Sequence, residues 1–367
     1  MTIWLHVGVP KAGSTTLQHF LETNRAALAE RDIVVPKGLS TFNHRKLKLF
    51  ADDDDVIDNP RRAKGMLTPQ KVRKFRARFE GQFRAEAAQW EPRSNVVMTC
   101  EHLVGITSDS GRERLRGLLD ATGHQTRIVV YVRRQDRVLL SGYVQSVRGG
   151  NTGYFDDYLG TMFDSYYRYD RVLDDWSRSF GEAQMVVRPF ERSQLCGGSI
   201  VDDFMSLLGI SDLSGFETIP DLTVSLPGPA VEYLRRLNPH IPRWLVTGPN
   251  EERKLLLRIL DRTATGERAA LSEERARAIV QEFAAGNAEV ARRWLGRSDG
   301  VLFREGYEPG ETRLPAIDAD EFAALTAHVV IGMAALVTGG HRAPQLPPGP
   351  LPPRPAAAAA AGFDDDQ

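Results

Sequence analysis

The residue types that could do chemistry begin near the start of the chain, in a glycine-containing loop between a short apolar run and a helical pattern. Backbone N–H groups of such a loop can curve around an anion, and the N-terminus of the following helix adds partial positive charge. A lysine and three hydroxyl side chains supply further donors. We therefore predict a phosphate-binding loop made by Pro10, Lys11, Ala12, Gly13, Ser14, Thr15 and Thr16.

The spacing in this loop differs from that of nucleotide-triphosphate loops. In those loops a lysine directly follows the second glycine, and Ser or Thr comes next. Here Ser14 follows Gly13, and Lys11 lies two residues before that glycine. We therefore expect Lys11 to meet a different oxygen of the ligand. The alternative interpretation is an ordinary glycine turn in which Ser14 caps the following helix.

A second candidate phosphate site follows a buried apolar run at 127–132. Arg133 stands where this strand is expected to end, and Ser141 lies eight residues further on. Ligands collect at the carboxyl ends of parallel strands, and arginine offers a planar fork that suits a phosphate. Arg133 and Ser141 are therefore candidate donors to a phosphate, with Arg134 as the alternative to Arg133; the other interpretation is a helix with a charged, solvated surface.

Candidate proton acceptors follow the apolar run at 95–99. Glu101 and His102 come at its carboxyl end, and both side-chain types can take a proton from a hydroxyl nucleophile. Neighbouring strand residues point to opposite faces, so the two are not expected to face one cleft unless the strand has already turned. Glu101 is the first candidate for a general base and His102 the second. The alternative role for Glu101 is that of a partner of Lys11 or Arg133.

Two further polar features are weaker candidates. His44 lies in the loop after the run at 32–36, where a solvated histidine is favoured over a contact with a second substrate. The aspartates at 52–55 could hold a cation, but such runs are usually solvated and mutually repelling. No metal is therefore expected.

The elements that must position these residues alternate along the chain. Short apolar runs predict buried parallel strands at 3–9, 32–36, 95–99, 127–132 and 184–188. Helical patterns lie between them at 15–31, 69–90, 111–121, 136–148 and 155–180. This alternation predicts an α/β fold, with a parallel sheet of about five strands and helices on both faces. After Gly198 the pattern is wholly helical, at 199–209, 227–238, 250–263, 271–297 and 318–338.

We divide the chain into three parts: an α/β core at 1–210, a helical part at 211–342 that completes the fold and the cleft for a second substrate, and a tail at 343–367. The tail is rich in proline and alanine. It cannot bury enough apolar surface to offset the entropy of ordering it, so we expect it to be disordered.

Composition excludes several classes of protein. The 367 residues include 47 Lys+Arg and 48 Asp+Glu, a net charge of −1, which argues against a dedicated nucleic-acid-binding protein. Two cysteines cannot build a disulfide scaffold, so a cytoplasmic location is expected. Neither a signal peptide nor a membrane-spanning apolar run is expected.

Taken together, the two motifs resemble those of the sulfotransferase family that uses 3′-phosphoadenosine 5′-phosphosulfate (PAPS). That family opens with a strand and a Pro-Lys-x-Gly-Ser/Thr-Thr loop, matched here by Pro10, Lys11, Gly13, Ser14 and Thr15. Ala12 stands where the family often has a hydroxyl residue. The stretch Cys100-Glu101-His102-Leu103 is similar to the Ser-Glu-His-Leu of many bacterial relatives.

The resemblance implies a P-loop-like fold and a role for each motif. The loop would hold the 5′-phosphosulfate, with Lys11 near the oxygen that bridges phosphorus and sulfur. Arg133 and Ser141 would clamp the 3′-phosphate. Members that act on carbohydrates use a glutamate base and some members use histidine, which again points to Glu101 first and His102 second. Gln135 departs from the proline that the family usually has two residues after the arginine.

We therefore predict a PAPS-dependent sulfotransferase that transfers a sulfuryl group to a hydroxyl of a carbohydrate or small metabolite by in-line displacement. The product nucleotide would be adenosine 3′,5′-bisphosphate (PAP), and no metal is required. Two alternatives remain: a P-loop kinase or nucleotide hydrolase that uses Glu101 near magnesium, and a non-catalytic nucleotide-binding module on the same fold. The acceptor and the oligomeric state are left open.

Overall fold

Five parallel strands form the central sheet of the computed structural model, which describes residues 2–39, 43–91, 94–219, 225–245, 248–307 and 310–337. The predicted tail at 343–367 lies outside these residues. In space the strands follow the order β2-β3-β1-β4-β5, and every neighbouring pair is parallel. Their bounds are β1 Thr2–His6, β2 Ile33–Val34, β3 Asn95–Thr99, β4 Gln125–Val132 and β5 Met185–Pro189.

The first strand lies at the centre of the sheet. Ile3 pairs with Val96 of β3 on one side, and Leu5 pairs with Ile128 of β4 on the other. The chain leaves β1 towards β2 on one side and later crosses to β4 on the other, which makes a topological switch point. In open α/β sheets, ligands bind at the carboxyl ends of the strands at such a point.

Helices cover both faces of the sheet, as predicted. Val97, Val129 and Tyr131 face one apolar cluster, while Leu5 and Ile128 face another. Burial of each such side chain stabilises the fold by about 1.5–3 kcal/mol relative to its exposure. The helices of this half are α1 Ser14–Thr23, α2 Arg25–Ala29, α3 Lys46–Ala51, α4 Asn59–Ala63, α5 Pro69–Ala87, α6 Asp109–Asp120, α7 Gln135–Arg148, α8 Phe155–Met162, α9 Tyr169–Phe180 and α10 Ile200–Leu207.

The C-terminal part is helical apart from one short strand pair. Its elements are α11 Gly228–Leu237, β6 Trp244–Leu245, β7 Gly248–Pro249, α12 Glu251–Thr263, α13 Glu273–Gln281, α14 Ala284–Leu295 and α15 Ala319–Val337. The prediction of a wholly helical pattern after Gly198 is wrong at β6 and β7, because two-residue strands are too short to show an alternating pattern. Val231, Leu256 and Phe283 from this part join the apolar cluster that contains Leu5.

Three segments that were predicted as single helices are each divided into two. The segment at 155–180 becomes α8 and α9, and those at 15–31 and 271–297 are divided in the same way. Between α8 and α9, the Arg168 side chain donates to the Phe163 carbonyl at 3.0 Å. This bond satisfies a carbonyl at the end of α8 that a continuing helix would have used.

The cysteines and the apolar segments were the features used to predict where in the cell the protein is located. Cys100 is buried, Cys196 is exposed, and both are free thiols. Within the described ranges, no helix has the length and apolar character needed to cross a membrane. The cytoplasmic location stays a prediction.

Candidate functional site

The loop after β1 turns sharply and enters α1 at the centre of the sheet edge. Val7 continues the pairing of β1, since its N–H donates to the Val129 carbonyl at 2.8 Å. Gly13 then adopts a left-handed backbone with φ 78°, and a Cβ there would lie 2.8 Å from the Phe190 ring. The conformation and the close ring both favour glycine at this position. The loop is therefore fixed in shape by β4 and by the segment after β5.

The N-terminus of α1 is suited to an anion. Gly13 occupies the N-cap position without a side-chain cap, and the first turn contains no acidic residue. Ser14 is the first helical residue, so it does not cap the helix as the alternative interpretation required. Its hydroxyl is buried and has no hydrogen-bond partner among the described residues. First-turn amides and a buried hydroxyl of this kind match the acceptor oxygens of a phosphate or sulfate.

Lys11 lies at the outer side of the loop in a strained backbone conformation. Its φ of 66° is uncommon for a residue with a side chain. The Arg133 guanidinium donates to the Lys11 carbonyl at 2.5 Å, and the Lys11 ammonium donates to the Gln145 amide oxygen at 3.2 Å. Both ends of the residue are thus held by groups from the segment that follows β4.

Arg133 connects the two predicted phosphate-binding motifs. Besides its bond to the loop, its guanidinium lies 5.8 Å from the centre of the Phe190 ring. The hydroxyl of Tyr169 donates to the Arg133 carbonyl at 2.5 Å, which fixes the backbone at the end of β4. Burial, followed by the nearby cation of Arg137, lowers the pKa of Arg133. An anion beside this guanidinium would offset both effects.

Arg134 binds other groups than the loop after β1, which Arg133 contacts. Its buried guanidinium forms an ion pair with Asp136 at 2.8 Å and donates to the Glu305 carbonyl at 2.6 Å. It also lies 4.1 Å from the centre of the Tyr307 ring. The geometry therefore favours Arg133 over Arg134 as the phosphate ligand.

Gln135 takes the place where the family pattern has proline. Its buried side-chain amide exchanges two hydrogen bonds with the amide of Asn287, at 2.8 and 3.0 Å. The pair joins α7 to α14. A side-chain contact between α7 and α14 thus fixes this turn.

Ser141 lies on the face of α7 that approaches the loop. It precedes Gln145 by four residues, and residues at this spacing share one face of a helix. Because Gln145 contacts Lys11, the half-buried Ser141 is oriented towards the same region. Gln145 was missed in the sequence analysis; its spacing from Ser141 is the signal that could have found it.

Glu101 and His102 lie in a 3-10 helix, Glu101–Gly105, that begins just after β3. The strand has therefore already turned, and the two side chains approach each other, with 3.9 Å between His102 Nε2 and Glu101 Oε1. A Cβ on Gly8 would lie 3.0 Å from the Glu101 Cβ and 2.8 Å from the Ser14 hydroxyl. Glycine at position 8 thus lets the candidate base contact the candidate phosphate loop.

His102 is held in its neutral form. Burial, followed by the cations of Arg45 and Lys48, lowers the pKa of His102 to about 3. A group with so low a pKa is a weak proton acceptor near neutral pH. This result favours Glu101 over His102 as the general base.

His44 has a structural role, so both interpretations offered for it are wrong. Its side chain is 2% exposed. Nδ1 accepts a hydrogen bond from the Thr99 N–H at 2.9 Å, and Nε2 donates to the Pro36 carbonyl at 3.1 Å. Burial lowers the pKa of His44 to about 4. The imidazole therefore joins the loop after β2 to the carboxyl end of β3.

Three aspartates of the run at 52–55 form ion pairs, Asp52 with Lys48 and the other two with arginines. Arg76 and Arg73 bind Asp54, and Arg114 binds Asp53 at 3.1 Å. Within the ranges that the structure describes, no group of three or more His, Cys, Asp or Glu side chains is arranged to hold a metal ion.

Comparisons with known proteins give two similarities. No protein-family model matches the chain. An uncharacterized protein of Archaeoglobus fulgidus is 26% identical over 185 residues, which are 49% of this chain and 49% of that protein. The chain therefore aligns with about half the length of this relative. A sulfotransferase from Alicyclobacillus acidocaldarius, solved by crystallography, covers 60% of this chain and 87% of its own at 19% identity, with a TM-score of 0.36.

Proposed function

We propose that the protein is a sulfotransferase that uses PAPS and sulfates a hydroxyl group, giving a sulfate ester and PAP. The observation that supports this most is the meeting of three groups at one sheet edge. The uncapped start of α1 adjoins Arg133 through the Lys11 carbonyl and adjoins Glu101 through Gly8. Two separate anion sites and a base are what a transfer from this donor, with its two anionic groups, requires.

The residues present fit the two anionic groups of the nucleotide. The donors at the loop are backbone amides, the hydroxyls of Ser14, Thr15 and Thr16, and the Lys11 ammonium, which suit the phosphosulfate. Arg133, whose guanidinium donates to the Lys11 carbonyl, and Ser141 on α7 would suit the 3′-phosphate. When bound, the nucleotide supplies the sulfuryl group, whose bond to the phosphate oxygen breaks as its bond to the acceptor oxygen forms.

The loop would stabilise the charge that grows on the departing phosphate oxygen. Lys11 and the amides at the start of α1 are held in place before the reaction by β4, Arg133 and Gln145. Donors fixed in this way need little reorganisation as charge develops, and the removal of one typically costs about 10²- to 10³-fold in rate.

Glu101 would accept the proton of the acceptor hydroxyl. Its carboxylate lies on the 3-10 helix that contacts Gly8, so it is beside the loop where transfer would occur. A positioned general base typically contributes about 10²- to 10⁴-fold. The proton passes from the acceptor hydroxyl to the Glu101 carboxylate, and bulk water can then remove it.

Equilibrium binding separates this function from the kinase and hydrolase alternative. We expect PAP to bind with a micromolar or lower dissociation constant in the presence of EDTA, and ATP with magnesium to bind at least tenfold more weakly. Preference for ATP with magnesium would overturn the proposal. Transfer from labelled PAPS to a hydroxyl acceptor, followed by mass analysis of the product, separates an enzyme from a binding module.

A further inference from the structure

Arg45 lies at the start of α3, in a loop that is tied to the carboxyl end of β3. Arg45 follows His44, whose backbone N–H donates to the Thr99 carbonyl at 2.9 Å, so this loop is tied to the end of β3. The helix that follows, α3, packs against the 3-10 helix of Glu101, since a Cβ on Gly105 would lie 3.6 Å from Lys48 Cε. The start of α3, with Arg45, is thus held near the end of β3, which Glu101 and His102 follow.

Arg45 differs from Lys48, the other cation of this segment, in the ion pairs that it forms. The Lys48 ammonium forms ion pairs with Asp52 at 2.5 Å and with Asp58 at 3.8 Å. The Arg45 side chain is half-buried, yet among the described residues it has neither a hydrogen bond nor an ion pair. A partly desolvated guanidinium without a partner is unfavourable unless an anion binds it. Its charge nevertheless reaches the site, because it contributes to the lowered pKa of His102.

Further cations continue from Arg45 along the surface. Burial, followed by the charges of Lys64 and Arg78, lowers the pKa of Lys46. These like charges are therefore close enough to repel one another. Glu86 acts in the opposite direction and raises the pKa of Lys46, while one of its carboxylate oxygens accepts from the backbone amides of Lys37 and Gly38. Three cations, namely Lys64, Arg78 and Lys46, which follows Arg45 in the chain, thus stand against one carboxylate.

We propose that the acceptor carries an anionic group, a carboxylate or a sulfate, close to the hydroxyl that is sulfated, and that Arg45 binds this group. The inference rests on the proposed sulfuryl transfer at this site and adds the class of acceptor. The planar guanidinium can bind either oxyanion through two parallel hydrogen bonds. Arg45 takes no part in proton or sulfuryl transfer; it holds the acceptor so that its hydroxyl meets Glu101.

Matched pairs of acceptors test this inference. The pairs are phenyl β-glucoside with phenyl β-glucuronide, and maltotetraose with tetragalacturonate, each added to protein saturated with PAP. We expect calorimetry to show at least tenfold tighter binding of the anionic member of a pair. Arg45→Gln is expected to remove that preference and Arg45→Lys to retain part of it, while PAP affinity and thermal stability stay unchanged in both variants.

Arg171→Gln is the control, because Arg171 is exposed on α9 and pairs only loosely with Asp164 at 3.4 Å. It is expected to bind the anionic acceptors as the unchanged protein does. Tighter binding of the neutral members, the same preference in Arg45→Gln, or no binding of any anionic member to PAP-loaded protein would overturn the inference. A protein that does not bind PAP would overturn the proposed function itself, and this inference with it.

Discussion

Arg133 donates a hydrogen bond to the carbonyl of Lys11, 122 positions away in the chain, and so holds together the two segments assigned to phosphate binding. The same lysine has a left-handed backbone. Such a conformation persists only where surrounding contacts impose it. The arginine is therefore expected both to bind a phosphate and to keep the loop in its binding shape.

Replacement of Arg133 should weaken nucleotide binding. A hydrogen bond to a charged group contributes about 1.5–3 kcal/mol, or roughly a 10- to 100-fold change in the dissociation constant. We expect Arg133→Gln to weaken PAP binding by at least this factor in calorimetry. Arg127→Gln, at a partly exposed arginine of β4 whose guanidinium donates to the Ala183 carbonyl, should leave binding unchanged. Equal affinities of the two variants would contradict the assignment.

Replacement of Lys11 should reduce turnover more than binding. Its ammonium is assigned to charge that grows during transfer, and loss of one such donor typically costs about 10²- to 10³-fold in rate. Single-turnover measurements with labelled PAPS on Lys11→Met should show this loss, with a much smaller change in PAP affinity. Lys71→Met on the exposed face of α5 is the matched control. A loss confined to affinity would remove Lys11 from the chemical step.

A methyl group on Gly8 should disturb the site. It would meet the Ser14 hydroxyl at 2.8 Å and the Glu101 side chain at 3.0 Å, so the loop and the base would have to separate. We expect Gly8→Ala to lower the free energy of unfolding by about 1–3 kcal/mol and to abolish most transfer. Gly81→Ala in α5, where a Cβ meets nothing within 4 Å, should stabilise the protein by about 0.5–1 kcal/mol. Unchanged activity in Gly8→Ala would show that the contact does not matter.

The two candidate bases can be separated by amide substitution. Glu101→Gln keeps the size of the side chain but cannot accept a proton, so transfer should fall about 10²- to 10⁴-fold while PAP affinity is retained. His102→Gln should keep most activity, because an imidazole whose pKa is lowered to about 3 is a weak proton acceptor. The reverse result would make His102 the base.

Acid should destabilise the protein through its buried histidines. Burial lowers the pKa of both His6 and His44 to about 4, from an ordinary value of about 6.5 in the unfolded chain. Between these pH values the unfolded state binds more protons, so stability is complete above pH 6.5 and falls as pH falls towards 4. Each residue should contribute on the order of 3 kcal/mol to that loss.

Urea unfolding from pH 7 to pH 4 measures this dependence. His44→Gln should lower stability at pH 7 and reduce the slope with pH, because one titrating group is removed. His240→Gln, at an exposed position after α11, should change neither. The same slope in His44→Gln and in the unchanged protein would show that His44 has the same pKa in the folded and unfolded states.

The sheet and the loop could be predicted because their signals are local. The apolar run at 95–99 coincides with β3, and the glycines, lysine and hydroxyls of the loop lie within nine consecutive residues. The roles of His44 and Gln135 could not be predicted in this way. The bonds of His44 to Thr99 and Pro36, and of Gln135 to Asn287, depend on which elements meet in space.

The turn after β3 shows a similar limit. Alternation along a strand predicted opposite directions for Glu101 and His102 unless the strand had already turned. The apolar run did show that β3 ends at Thr99, but it could not show that a 3-10 helix follows at once and brings the two side chains together. The absence of a side-chain partner for Arg45 within the described residues is a tertiary property of the same kind.

The N-terminus of α1, which no side chain caps, has a practical consequence for the choice of buffer. Its first-turn amides and the Ser14 hydroxyl are complementary to any tetrahedral oxyanion, whether or not that ion belongs to a nucleotide. Phosphate or ammonium sulfate carried over from purification would compete for the same donors. Apparent nucleotide affinities should therefore weaken in such solutions, and Tris buffer with chloride as the anion should give the tighter values.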